Sequence, residues 1–170
     1  MRFFKALTTI LLLHLASYLP VSAASLSSPT GPVILEISGQ IAHGNLADGA
    51  GFDMAMLDAL PQRDTVTSTP WYDGVQTFSG PKLADLLAAV GATGGSLRVI
   101  AINDYAVEIP ISDVTDYPVI LASRQNGAPM PVREKGPLFV IYPFDEAAEL
   151  VNELYFSRSV WQVKRIEVLP

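Results

Sequence analysis

Short strand-like runs closed by glycine or proline dominate this chain, and only one stretch carries an unambiguous helical stripe. In "SGPKLADLLAAVGA", Leu83, Leu86, Leu87 and Val90 share one helical face, with Ser79 or Gly80 placed to cap, Pro81 in the first turn and Gly91 at the end. Elsewhere the apolar runs are too short for long helices. "VILEISG" reads as a strand ended by glycine, "LRVIAI" as a strand buried on both faces, and "YAVEIPI" as an alternating strand after the tight connection "NDY". "PVILASRQNGAPM" reads as a strand entering a turn at Asn126-Gly127, "GPLFVIYP" as another buried strand, and "SVWQVKRIEVL" as a closing alternating strand. "FDMAMLDALP" suits a short helix with Asp53 near its start and Pro61 at its end, with strand pairing the alternative, and "DEAAELVNELYFS" a helix starting near Asp145. The pattern predicts an α+β domain, mixed β-sheets with a few short helices, whose strand order the spacing does not specify.

The first 24 residues are set apart from that domain. "MRFFKALTTILLLHLASYLPVSAASL" places Arg2 and Lys5 before an apolar run and ends at small residues, the pattern of a cleaved signal peptide. His14 and Ser17 interrupt the run, which argues against a membrane-spanning anchor. The expectation is therefore an exported chain, with residues 25–170 forming one domain and no direct membrane insertion.

Composition narrows the chemistry. Without Arg2 and Lys5, nine basic residues face seventeen acidic ones, a formal charge of −8 that disfavours nucleic acid and other phosphate-rich partners. The chain has no cysteine, which excludes disulfides, thiolate nucleophiles and thiolate metal sites. With His14 in the signal segment, His43 is the one remaining histidine, so neither a multi-histidine metal site nor a supported Ser-His-Asp triad can be assembled. "GNLADGAG" lacks the lysine of a phosphate loop. It reads instead as part of a mobile loop, and Asn45, Asp48 and Asp53 do not have EF-hand spacing. Paired carboxylates for sugar hydrolysis are not specified, because their separation in space is not written in the sequence.

"TSTPWYDGVQTFSG" is a turn-like stretch that nonetheless carries Trp71 and Tyr72, and an aromatic pair in a surface loop points to binding. The order of segments around it resembles the sulfite oxidase-like molybdopterin-binding domain. The matching pieces are "LEISGQI", "MLDALPQRDTVTST", "FSGPKLADLLAAVGA", "NDYAVEIP", "ILASRQNGAPMPVREKGPLFVIYP" and "SVWQVKRIEV", which together span nearly all of residues 25–170. In enzymes of that family the segment matching "TVTSTPWYDG" carries a cysteine whose sulfur binds molybdenum. Here an indole and a phenol stand in that region, and neither replaces a soft anionic thiolate. Arginine-rich segments that would clamp a phosphate or nucleotide tail are missing as well, with Arg124, Arg133 and Lys135 the cations of the equivalent stretch.

The resemblance therefore implies a pocket for a free reduced pterin, with no catalytic cofactor, in which Trp71 offers a stacking platform. Asp73 and Asp104 are the candidate carboxylates for the ring's N–H edge, Asn103 an amide donor and acceptor, and Tyr72 and Tyr105 further rings or hydroxyls. Arg124, Lys135 and Tyr142 lie in segments that the resemblance places near the pocket. Each has a plainer reading: Trp71 as a cover for a sheet end, Asp73-Gly74 as a turn pair, and Asn103-Asp104 as a tight strand connection. Arg124 and Lys135 also read as solvated cations, and Tyr142 as a core aromatic. Trp161, alternating with Val163, is expected to pack inside, and His43 carries no assigned role.

Small, exported, cysteine-free chains of this kind resemble pterin-responsive regulators that act on the periplasmic sensory domain of a membrane-bound cyclic di-GMP enzyme. The "AHGNLADGAG" loop is the surface offered for such a partner. Two other classes stay open: a molybdopterin-dependent oxidoreductase, and a ligand-free periplasmic interaction protein.

Overall fold

The computed structural model describes residues 26–170. The signal-peptide expectation for residues 1–24 lies outside them.

The chain opens with β1 (Leu35–Gly39), an irregular loop, β2 (Ala50–Phe52) and the short helix α1 (Met54–Ala59). The loop reading of "AHGNLADGAG" holds, but the loop is tied down: the Asn45 carboxamide donates to the carbonyls of Ser27 (2.7 Å) and Gly51 (2.9 Å) and accepts from the Gly51 N–H (2.7 Å). Asp53 caps α1 by accepting the Met56 N–H at 2.9 Å, as its position in the sequence predicts.

Residues 67–80 depart most from expectation. Instead of a surface loop they belong to an antiparallel hairpin, β3 (Gln62–Thr69) and β4 (Tyr72–Pro81), turned by Pro70-Trp71. Polarity hid it. Thr65 and Thr67 point inward and are fully buried, while Val66 on the opposite face is 54% exposed. A strand with threonines inside does not announce itself by apolar alternation. Ser79, Gly80 and Pro81 consequently end β4 rather than capping the next helix, α2 (Leu83–Ala89), which starts after Lys82 with no side-chain cap. Its apolar stripe is buried as expected, and Gly91 follows with φ +61°, the left-handed geometry that glycine adopts without strain.

β5 (Ser96–Ala101) and β6 (Ala106–Pro110) form the next hairpin, followed by α3 (Ile111–Asp116). β5 is buried on one face only: Leu97, Val99 and Ala101 point inward, whereas Arg98 is exposed and Ile102, just past the strand, is 46% exposed. The expectation of burial on both faces is corrected accordingly. Three short strands come next, β7 (Ile120–Ala122), β8 (Arg124–Gln125) and β9 (Ala128–Pro129), the last two joined through Asn126-Gly127. After β10 (Phe139–Ile141), the helix expected from Asp145 begins later: Ala148–Leu150 make one 3-10 turn, and α4 runs from Glu153 to Arg158 with Asn152 as its cap. Asp145 is already engaged, accepting the Ser68 N–H at 2.8 Å. β11 (Val163–Leu169) closes the chain.

These strands form mixed β-structure with short helices, the α+β architecture expected. A five-stranded sheet has the order β2-β1-β11-β5-β6, with β1 and β11 parallel; β10 and β7 pair separately, and β3-β4-β8-β9 form a third sheet. The core divides in two. The larger cluster packs the five-stranded sheet against α2 and α3, and the smaller one gathers Phe78, Ile120, Ala122, Met130, Phe139 and Ile141. Trp71 packs against both. Among the described residues no helix is long and apolar enough to cross a membrane.

Candidate functional site

Trp71 reaches its place because the β3–β4 hairpin ends at the seam between the two clusters. Its ring centroid lies 5.4 Å from Phe139, 5.8 Å from Trp161, 6.1 Å from Phe156 and 6.3 Å from Phe144, in tilted or edge-on arrangements that suit aromatic quadrupoles. The indole is half-buried, one part in this cluster and the rest beside a cleft of about 440 Å³. That volume falls within the roughly 300–1,000 Å³ of small-molecule sites.

Four segments supply the lining. The hairpin turn contributes Trp71, the β5–β6 connection Asn103 and Tyr105, and α4 Glu153, Phe156 and Ser157. The approach to β11 contributes Ser159, Val160 and Trp161. Trp161 corrects the sequence reading: it is 39% exposed and faces the cleft, because its chain position precedes β11 rather than lying within the strand's alternation. Between Trp161 and Tyr72 sits the Lys135 ammonium, 5.4 Å and 5.1 Å from the two ring centroids. Such cation–π contacts hold the rings at about 0.5–1 kcal/mol each in exposed settings. Burial, and secondarily the charge of Glu134, pushes the Tyr72 phenol above its ordinary value, so it stays neutral at physiological pH.

Of the nine residues singled out from the sequence, Trp71, Asn103 and Tyr105 line the cleft, and Tyr72 and Lys135 support one of its walls. The other four lie elsewhere. Asp73 is exposed beside Gly74, and its carbonyl accepts the Gln76 carboxamide at 2.8 Å. Asp104 adopts φ +65°, a conformation that aspartate tolerates in turns, and its carboxylate pairs with Lys164 at 2.7 Å. That hydrogen bond holds its pKa below the ordinary carboxylate range. Arg124 makes two hydrogen bonds to Asp58, at 2.7 and 2.8 Å, which lower the acid's pKa and raise its own.

Tyr142 is fully buried, and its hydroxyl donates to Asp113 at 2.8 Å. Burial drives its pKa far upward. Arg158, from the last turn of α4, donates to the same Asp113 oxygen at 2.8 Å. This ion pair ties the cleft-lining helix to α3 and the core. Two residues that the sequence reading missed, Glu153 and Phe156, come to the site because α4 folds against β6. Their one signal was membership of a short amphipathic segment.

The donor set does not suit molybdenum. The chain holds no cysteine, and among the described residues no group of three His, Cys, Asp or Glu side chains is placed to hold a metal ion. A phosphate tail is equally unmatched, since Glu153 is the one side chain of full charge in the lining. The Trp71 and Trp161 rings meet edge-on, at 5.8 Å and 72°, and form a corner against which a flat, uncharged heterocycle can lie. A second, more polar depression of about 520 Å³ near β1 includes Glu36, Asp48 and Arg165 and none of the nine residues.

A family model described as "Oxidoreductase molybdopterin binding domain" matches residues 53–170. Among solved structures, the sulfane dehydrogenase SoxCD from Paracoccus pantotrophus superposes with a TM-score of 0.60 at 20% identity, over 79% of this chain and 37% of that one. The likeness is one of fold, and the chain spans little more than a third of that protein's length. No curated protein matches.

Proposed function

The chain belongs to the oxidoreductase molybdopterin binding domain family, and from that premise we propose that it binds a reduced pterin without catalysing a reaction on it. One observation carries the reading: an aromatic-walled cleft of about 440 Å³, flanked by Trp71 and Trp161, in a chain with no thiolate to anchor a metal. Indole faces gain stacking energy with any flat heterocycle, about 0.5–1.5 kcal/mol beyond area burial. Nothing in the lining would balance the charge of a phosphate tail, which favours a free pterin over molybdopterin.

The exported character read from residues 1–24 gives this binder a periplasmic setting. Its partner in the proposal is the periplasmic domain of a membrane-bound signalling protein, a cyclic di-GMP enzyme. Signalling requires that this partner bind the loaded and empty forms with different affinity, since equal affinity transmits nothing. The test is mass spectrometry of the small molecule that co-purifies under anaerobic, non-denaturing conditions, together with metal analysis of the same sample. A pterin without molybdenum supports the reading. Stoichiometric molybdenum would replace it with the second one, a molybdopterin-dependent oxidoreductase, which the family membership by itself favours.

A further inference from the structure

We propose that Glu153 is the residue that selects the 2-amino-4-oxo edge of the ligand, with Asn103 completing the recognition; the inference rests on the pterin reading and assigns its hydrogen-bonding determinants. Sequence reasoning gave this task to Asp73 or Asp104. Neither lines the cleft, and the Asp104 carboxylate is taken up by Lys164. Glu153 is the carboxylate that does line it, and among the described residues its side chain has no ion-pair or hydrogen-bond partner. Arg158, five residues along, is committed to Asp113 at 2.8 Å and does not neutralise it.

Asn103 has a defined orientation. Its side-chain oxygen accepts the Tyr105 N–H at 3.2 Å, which leaves the amide nitrogen to donate. Together the two side chains offer two acceptor oxygens and one donor. A 2-amino-4-oxopteridine presents the complement along one edge: the exocyclic amine N–H, the adjacent ring N–H, then the carbonyl oxygen. A carboxylate accepting two N–H groups makes a charge-assisted, geometrically specific pair, while the indole surface lining the cleft can stack on one face of any flat ring. Aromatic contact supplies affinity, and Glu153 supplies discrimination.

The test compares tetrahydropterin with tetrahydrolumazine, in which an oxo group replaces the 2-amino group, by anaerobic calorimetry on the full mature protein. The native protein should prefer tetrahydropterin by about ten- to a hundredfold, the value of charge-assisted hydrogen bonds. Glu153→Gln should remove most of that preference by weakening tetrahydropterin alone, and Glu153→Asp, with a shorter reach, should fall between. Circular dichroism melting of both variants should stay close to the native protein, because Glu153 is exposed and Glu153→Gln removes only its charge from the first turn of α4, about 0.3–1 kcal/mol. A preference preserved in both variants overturns the role of Glu153 and leaves the pterin site standing. Absence of binding to either ring in the native protein overturns the pterin reading and this inference with it.

Discussion

The indole of Trp71 touches both hydrophobic clusters and four other aromatic rings, so its removal acts on the fold as well as on the cleft. Trp71→Ala should cost about 2–4 kcal/mol of stability, by analogy with large-to-small core changes, and a denaturant titration would read it. Trp161 separates the two effects. At 39% exposure it belongs to neither buried cluster. Trp161→Ala gives up edge-on contacts with Trp71 and Phe139 and the Lys135 contact, so it should cost about 1–2 kcal/mol of stability, less than Trp71→Ala, while removing about 1–3 kcal/mol of ring stacking from pterin binding. If both variants lose stability and neither loses affinity selectively, the aromatic cluster is structural only. Asp104→Asn gives the opposite contrast: its carboxylate serves Lys164 outside the cleft, so pterin affinity should be unchanged. The choice between Asp104 and Glu153 could not be made from the sequence, because Asp104 lies in a tight connection, Glu153 is one of four acids in an amphipathic segment, and only the folded structure shows which reaches the cleft.

At the scale of elements, the hairpin that presents Trp71 depends on a close backbone crossing. A Cβ at Gly80 would lie 2.1 Å from the Leu121 carbonyl oxygen, so β4 can pass β7 there only without a side chain. Gly80→Ala should destabilise by about 1–3 kcal/mol or more, the usual range of overpacking, and reduce soluble yield in parallel. α4 is held by its buried ion pair. Arg158→Met leaves Asp113 without its cation and should cost about 3–5 kcal/mol, whereas Tyr142→Phe leaves that pair intact and should cost about 1–2 kcal/mol; thermal melts of the two variants would rank them. α1 links the fold to pH. Its cap, Asp53, also accepts the Gly31 and Thr30 N–H groups at 2.7 and 2.8 Å, and these bonds, that of Gly31 foremost, hold its pKa below the ordinary 3.8. A depressed folded-state pKa contributes stability that is complete above the unfolded value and lost as pH falls through the folded one. The melting temperature should therefore decline below about pH 4, and less steeply in Asp53→Asn. The α2 stripe and the α1 cap were legible because local periodicity and capping chemistry dictate them. The β3–β4 hairpin was not, since its inward residues are threonines and its outward face carries Val66.

For the whole molecule, the proposal predicts linkage between ligand and stability. A reduced pterin at a hundred times its dissociation constant should add about 2.7 kcal/mol, which for a domain of this size corresponds to a rise in melting temperature of about 5–10 °C. A screen of reduced and oxidised pterins with no shift would favour a protein that keeps the fold for interaction alone. The family, the α+β class and the lack of any thiolate all follow from the sequence itself. They depend on which residues are present and on near-neighbour spacing. Which aromatic and acidic residues share the cleft was decided by tertiary structure. Trp71, Asn103, Glu153 and Trp161 come from four separate segments, and their meeting depends on strand order, on the late start of α4 and on the turn into β11, none of which is encoded in local pattern.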